Sequence, residues 1–205
     1  LTSMGQIDLD FKPTVPVFDA NVALGRRHDR RVREATVEGT LKAMERAGVG
    51  RALAYSPHAS TFDSREGNEL LLGMVQGQPG LVPQYVCNAS FDDQASFADD
   101  VKEHGVRSVR MFPTLHQYPF REWVVGPWLD WLSEERIPLW MPAEQVDPSM
   151  LHDIVKERPD LSVVLSEAHY RQVSWALPLL RSLPNVSIEI SRFYIADLIP
   201  RLIDA

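Results

Sequence analysis

The sequence has very little cysteine and no long apolar run. Cys87 is the single cysteine among 205 residues, so the chain cannot form an internal disulfide, and we expect a reducing, cytoplasmic location. No apolar run reaches the roughly 18 residues of a membrane helix, and the start, LTSMGQIDLDF, lacks the basic and apolar segments of a secretory signal. We therefore expect no membrane partner.

Positive charge is also scarce. The chain has 21 Lys and Arg against 28 Asp and Glu, which gives a net charge of −7. A field of that sign repels polyanions, so nucleic acid is excluded as an expected partner. With 44% hydrophobic and 24% charged residues, the composition is typical of a globular protein. The length fits one large domain or two small ones, and we predict a single domain over residues 1–205.

Short apolar runs alternate with helix-like segments along the whole chain. Successive runs start 24 to 34 residues apart, a spacing that is typical of βαβ crossovers. Strands that are apolar throughout and separated by helices predict a parallel sheet that is covered on its faces. The seven runs begin near Val17, Arg51, Leu81, Ser108, Pro138, Ser162 and Val186.

The segments between these runs contain recognisable helix signals. Val37, Leu41 and Met44 lie on one helical face ahead of Gly48, which predicts a helix that ends at this glycine. Asp147 followed by a proline predicts the start of another helix.

Two architectures fit this order, an open doubly wound sheet and a closed barrel. The segment after the first run, DANVALGRR, contains neither of the glycine-rich phosphate-binding motifs of common open sheets. The runs end in polar or small residues, which suits a barrel whose loops meet at one mouth. We predict an α/β fold, a (β/α)8 TIM barrel. Such barrels need about 250 residues, so we expect the last βα unit to be missing from this chain.

Five segments resemble those of a known family both in their order along the chain and in their residues. VFDANVALG stands where that family has a first-strand D-x-H-x-H, and GVRSVRMFP, IPLWMPAEQ, VVLSEAH and PNVSIEISRF are similar to its fourth to seventh strands. The chain thus resembles the amidohydrolase-related, metal-dependent hydrolases, which are TIM barrels. The resemblance implies a divalent metal that activates water for attack on an amide, ester or lactone, or that supports decarboxylation.

Most metal-ligand positions of that family are substituted here. The two first-strand histidines would fall at Asn21 and Ala23, and the fifth-strand histidine would fall at Pro142. None of these residues is a good zinc ligand. Only His169 keeps its position, and the family's eighth-strand aspartate would lie beyond Ala205. We therefore expect no full zinc or manganese site, and any residual metal should depend on His169.

The predicted acid–base chemistry rests on Glu144 and His169. A carboxylate beside an imidazole moves protons near neutral pH when their atoms are within hydrogen-bond reach. Glu189 is expected to face the barrel interior because it alternates with apolar neighbours. The alternatives are a solvated loop carboxylate for Glu144, a structural histidine at position 169, and a polar layer containing Glu189.

Arg110 is the main predicted substrate-binding residue. An arginine at the end of a barrel strand can hold a carboxylate through two parallel hydrogen bonds. The alternative is an internal salt bridge to Glu144 or Asp19. We expect Tyr118 and Phe120 to wall a cavity there. The remaining predicted substrate-binding residues lie at or just after the ends of candidate strands, although a surface role is an alternative for His58 and Arg192: Asp19, Asn21, His58, His116, Glu189 and Arg192.

Two functions remain open from the sequence. One is a hydrolase or decarboxylase that acts on a small carboxylated organic molecule with an altered metal site. The other is a catalytically silent barrel that binds a small ligand or a protein partner. Unpaired edge strands in a seven-stranded barrel also predict a homo-oligomer.

Overall fold

The computed structural model describes residues 12–194 and 197–204. Strands and helices alternate along this part of the chain. In chain order they are β1 (Val17–Ala23), α1 (Val37–Ala47), β2 (Val49–Tyr55), α2 (Pro57–Thr61), α3 (Ser64–Val75), β3 (Leu81–Pro83), β4 (Tyr85–Cys87), α4 (Gln94–Glu103), β5 (Val109–Met111), α5 (Glu122–Glu134), β6 (Leu139–Pro142), α6 (Pro148–Val155), β7 (Val163–Ser166), α7 (Val173–Ser182), β8 (Val186–Ile188) and α8 (Leu198–Ile203).

All strand pairs are parallel and neighbours in sequence are neighbours in space. The strand order is β1–β2–β3 in one sheet and β4–β5–β6–β7–β8 in the other. β3 and β4 are two halves of one extended segment, because β3 pairs with β2 whereas β4 pairs with β5. Gln84 joins the halves and donates its backbone N–H to the Ala54 carbonyl at 2.8 Å. The predicted α/β barrel with seven strand segments is confirmed.

The largest hydrophobic core lies between the sheet and the surrounding helices. Alternate strand residues such as Val109 and Met111 point into it and are fully buried. Trp128 of α5 packs against Phe97 of α4 with their ring centroids 5.3 Å apart. Tyr118 and Phe120 also lie in this core, and their role in walling a cavity stays a prediction.

Local sequence signals set the helix ends. The Thr36 side chain caps α1 by accepting the Gly39 N–H at 3.0 Å, and Gly48 ends that helix with a φ of 68°. This left-handed conformation favours glycine. Asp147 caps α6 by accepting the N–H groups of Ser149 and Met150 at 3.0 Å each. Both predicted helix boundaries are confirmed.

Two helices, α2 and α3, follow β2. Ser56 caps α2, which begins at Pro57 and contains His58. Gly67 of α3 lies directly against Ala59 of α2, and this close approach fixes the two helices against each other. Among the helices that the structure describes, none is long and apolar enough to cross a membrane.

Candidate functional site

Arg110 lies at the centre of the candidate site. Its neighbours Val109 and Met111 point towards the helices, so strand alternation directs Arg110 to the inner face of the barrel. The residue is completely buried. Its Nε donates to Gln84 Oε1 at 2.8 Å, and its Nη2 donates to Asn21 Oδ1 at 2.9 Å. The site thus joins three strand segments that are far apart in sequence.

Gln84 is held in place from its other side. Its Nε2 donates to the Ser108 hydroxyl at 2.7 Å, and both residues are buried. Because the amide nitrogen is engaged with Ser108, the amide oxygen faces the arginine. Gln84 is therefore a fixed acceptor for the guanidinium.

Aromatic rings surround the guanidinium. Its central carbon lies 4.2 Å from the ring centroid of Tyr55, 5.4 Å from that of Trp140 and 6.0 Å from that of Phe112. Rings at these distances attract a cation through their π faces. They also exclude water, so the guanidinium lies in a largely apolar enclosure.

The positive charge of Arg110 has no direct acidic partner in the described part of the chain. It makes no ion pair within 4.0 Å there, so the predicted alternative of a salt bridge to Glu144 or Asp19 is not seen. Burial lowers the pKa of Arg110, although the charges of Glu167 and Glu189 partly offset this. Its Nη1 is buried and has no hydrogen-bond partner among the described residues. The arrangement leaves one donor without an acceptor there, and the positive charge without a contacting carboxylate.

Ser166 presents a second unmatched polar atom on the inner face. It ends β7 beside Pro142, and its preceding neighbour Leu165 points into the helix-side core. Strand alternation therefore directs Ser166 inward. Its hydroxyl is buried and has no hydrogen-bond partner within residues 12–194 and 197–204.

Two acidic residues follow β7 and β8. Glu189 accepts the Glu167 N–H at 3.1 Å and the Ser191 N–H at 2.6 Å. Burial disfavours the charged form of Glu189, yet these hydrogen bonds lower its pKa below the ordinary value of 4.5. Glu167 has a φ of 55°, which is strained for a residue other than glycine. Its carboxylate lies 3.5 Å from Arg192 Nη1.

The predicted catalytic residues follow neighbouring strands but do not meet in the described residues. His169 caps the turn Tyr170–Gln172: its backbone N–H donates to Gln172 Oε1 at 2.6 Å, and its Nδ1 accepts the Arg171 N–H at 3.5 Å. Glu144 is exposed in a short turn after β6. No hydrogen bond joins either residue to the other or to Glu189 within those ranges. The acid–base pair stays a prediction.

The two predicted binding histidines lie near α2. His58 Nε2 is 3.1 Å from Glu66 Oε2. His116 Nε2 donates to the Ser60 carbonyl at 3.1 Å, and burial lowers the pKa of His116. Neither histidine hydrogen-bonds to Arg110 in the part of the chain that the structure describes.

Asp19 Oδ1 accepts the Asn21 backbone N–H at 3.1 Å, yet the two side chains point to different regions because β1 is irregular between them. The register with β2 shifts between Asp19 and Val22, and Asp19 pairs with Ala52, which points into the helix-side core. Asp19 lines a groove beside α1, whereas Asn21 reaches Arg110. The strand irregularity thus directs the side chains of these two neighbouring residues to different sides of β1.

The residues present do not fit the metal centre that the resemblance implies. Asn21 Oδ1 is occupied by Arg110, and Ala23 packs beside Tyr55 and Phe112 without offering a donor. Within residues 12–194 and 197–204, no group of three or more His, Cys, Asp or Glu side chains is placed to hold a metal ion.

Sequence reasoning missed several residues of this site: Gln84, Ser166, Glu167, Tyr55, Phe112 and Trp140. Gln84 did carry a signal, because it is a polar residue inside the apolar run LVPQYVC. The aromatic residues carried none, since a buried aromatic residue is ordinarily a core residue.

A family comparison assigns the chain. The family model described as Amidohydrolase matches residues 8–201. The protein belongs to the amidohydrolase family. This assignment confirms the resemblance noted in the sequence, including the substitution of most metal-ligand positions. A search of curated protein sequences gives no match.

Solved structures show the same fold. An uncharacterised TIM-barrel protein from Bordetella bronchiseptica superposes with a TM-score of 0.67 at 14% identity, over 85% of this chain and 74% of that chain. Amidohydrolase 2 from Bifidobacterium longum subsp. infantis gives 0.60 at 13% identity, over 93% and 80%. An amidohydrolase from Mycobacterium avium subsp. paratuberculosis gives 0.59 at 14% identity, over 82% of this chain but only 61% of that chain.

Proposed function

We propose that this amidohydrolase-family barrel binds a small carboxylated organic molecule beside Arg110. The observation that carries the proposal is the completely buried guanidinium, which has no acidic partner in the described residues and a free Nη1 donor.

The Arg110 guanidinium is buried, and no carboxylate of the described residues contacts it. A buried ion without a counter-ion costs several kcal/mol even after the protein relaxes. A ligand carboxylate would offset this cost by supplying the opposite charge and an acceptor for Nη1. The Ser166 hydroxyl on the inner face, which also lacks a hydrogen-bond partner in the part of the chain that the structure describes, is a second candidate donor.

The surroundings of Arg110 favour an organic anion over an inorganic one. Tyr55, Trp140 and Phe112 offer apolar ring surfaces around the guanidinium. Small-molecule sites typically combine such apolar walls with a few fixed polar groups. A carboxylate attached to an apolar body would match both features.

Hydrolysis or decarboxylation of the bound molecule is the second candidate function. Family membership favours it, and Glu144, His169 and Glu189 follow strands that flank the mouth. In this proposal His169 and Glu144 exchange protons with the substrate, and Glu189 holds the loop that carries Glu167. The competing view is a silent barrel that binds a ligand or a protein partner without turnover.

Calorimetric titration with benzoate, with the uncharged benzamide as comparison, tests binding. We expect benzoate alone to bind, and Arg110→Met to weaken it at least tenfold. Arg107→Met is the matched control, because Arg107 is exposed two residues before β5 and removal of its charge leaves the inner face intact. Absence of benzoate binding to the unaltered protein, or equal loss in both variants, would contradict the proposal.

Turnover is tested separately with carboxylated esters, lactones and amides. If the second candidate function is correct, products should form and His169→Ala should reduce their rate while benzoate still binds. Benzoate binding without any turnover would favour the silent barrel.

A further inference from the structure

The cation of the candidate site is a side chain. We propose that the Arg110 guanidinium replaces the divalent metal ion in this chain, so that the site binds its anion without metal. The nature of the bound anion rests on the proposed function, whereas the replacement of the metal rests on the geometry around Asn21.

Asn21 is the structural link between the two arrangements. It stands at the position of the first histidine in the family's first-strand motif, and its Oδ1 accepts a hydrogen bond from Arg110 Nη2 at 2.9 Å. The oxygen that would face a metal therefore faces a guanidinium. Ala23, at the second histidine position, packs beside the same Tyr55 ring that covers the guanidinium.

The residues that stand at the two histidine positions, Asn21 and Ala23, suit a guanidinium better than they suit a metal ion. A guanidinium donates hydrogen bonds and needs acceptors, and Asn21 and Gln84 supply oxygen atoms to it. Histidine in its metal-binding form would present a nitrogen lone pair at position 21 and a bulky ring at position 23. The loss of the histidines thus makes room for the arginine and gives it a partner.

Electrostatic repulsion disfavours the binding of a divalent metal ion beside the Arg110 guanidinium. Arginine remains charged under all ordinary conditions, and a divalent ion bound at Asn21 would lie within a few ångströms of that like charge, in an enclosure that screens poorly. The carboxylate best placed to substitute as a ligand is also engaged, because Glu189 already accepts two backbone N–H groups.

The replacement changes what the site can do. A guanidinium neutralises and orients an anion, but it does not coordinate water or lower its pKa as a metal does. Any reaction at this site would therefore take its protons from side chains such as His169. The geometry is that of an anion-binding site whose positive charge belongs to the Arg110 side chain.

Zinc binding measured by equilibrium dialysis tests the replacement. The unaltered protein should bind well under one equivalent. Asn21→His with Ala23→His should bind zinc weakly while Arg110 remains, and adding Arg110→Met to this pair should raise the affinity at least tenfold. Circular dichroism of each variant checks that it is folded.

Two results would overturn the inference. One is a full equivalent of zinc on the unaltered protein, a measurement that does not depend on any variant folding. The other is equal zinc affinity with and without Arg110 in the folded histidine variants.

A chelator experiment separates this inference from the proposed function. Benzoate affinity of the unaltered protein should be the same before and after exhaustive treatment with EDTA, and loss of that affinity would overturn the inference. If benzoate does not bind at all, the proposed ligand is wrong, while the zinc measurements still decide whether Arg110 takes the place of the metal.

Discussion

The stability of the candidate site depends on single acceptor atoms around Arg110. Gln84 Oε1 accepts from Nε at 2.8 Å, and both side chains are fully buried. A buried charged donor that loses its acceptor retains the full cost of desolvation. The two residues should therefore be energetically coupled.

A double-mutant cycle measures this coupling. Gln84→Leu should lower the free energy of unfolding by about 2–4 kcal/mol, because it leaves the Arg110 Nε unpaired. In an Arg110→Met background the same change should cost about 1.5 kcal/mol less. Denaturant titration of the four proteins supplies the numbers, and additive effects would show that the hydrogen bond contributes little.

Glu189 should make stability depend on pH. Its pKa is lower in the folded protein than the ordinary 4.5, so its contribution is present above that value and is lost as the pH falls through the folded-state pKa. Glu189→Gln should reduce the free energy of unfolding at pH 7 by about 1 kcal/mol, after allowance for solvent screening. Below pH 4.5 the difference should shrink.

Glu144→Gln is the control for this pH dependence. Glu144 is exposed in the turn Ala143–Gln145, so its substitution should leave stability unchanged between pH 7 and the acid range. If the Glu189 and Glu144 variants have the same free energy of unfolding at every pH, Glu189 does not cause the pH dependence of stability.

At the scale of elements, the contact between α2 and α3 depends on the absence of a side chain. A Cβ on Gly67 would clash with the backbone N and Cα of Ala59, and backbone atoms cannot move aside as a flexible side chain can. The two helices follow the carboxyl end of β2 and position His58. Their separation would therefore also displace His58 at this end of the barrel.

Gly67→Ala should lower the free energy of unfolding by about 2–4 kcal/mol, as expected for overpacking against backbone. Gly73→Ala is the matched control on the same helix, because a Cβ there has no neighbour within 4 Å. It should raise stability by about 0.5–1 kcal/mol through helix propensity. Thermal and denaturant unfolding of both variants check the prediction, and a stable Gly67 variant would contradict the close helix contact.

At the scale of the whole molecule, the barrel has two edges. Among the described strands, β1 pairs with β2 alone and β8 pairs with β7 alone. Edge strands present backbone groups that can pair with another chain. Self-association of the 205-residue chain, already expected from its sequence, stays a prediction.

Light scattering over a wide concentration range should show this chain to be larger than a monomer. Phe18→Lys places a charge on β1, where the phenylalanine is 48% exposed, and should reduce the association. Phe91→Lys is the control, since Phe91 is 88% exposed in a loop outside the strands. If both substitutions reduce association equally, the association is non-specific and does not involve the edge strand β1.

Much of the fold follows from short stretches of sequence. The apolar runs form strands, because each strand of a parallel sheet that is covered on both faces needs consecutive apolar residues. The helix that stops at Gly48 and the one that starts after Asp147 were predictable because capping involves residues only a few positions apart. Arg110 and Asn21 were likewise recognisable as candidates, since each is a polar residue beside apolar strand positions.

Only the tertiary structure decided which of these candidates meet. Arg110 and Asn21 are 89 residues apart in sequence, and their contact depends on barrel curvature and on strand register. The register shift in β1 that turns Asp19 away from the interior has no signature in the sequence. The sequence by itself determined where charge and polarity occur along the chain. Folding decided that the arginine contacts two amide oxygens and, among the described residues, no carboxylate, because its enclosure is assembled from strands that do not adjoin in sequence.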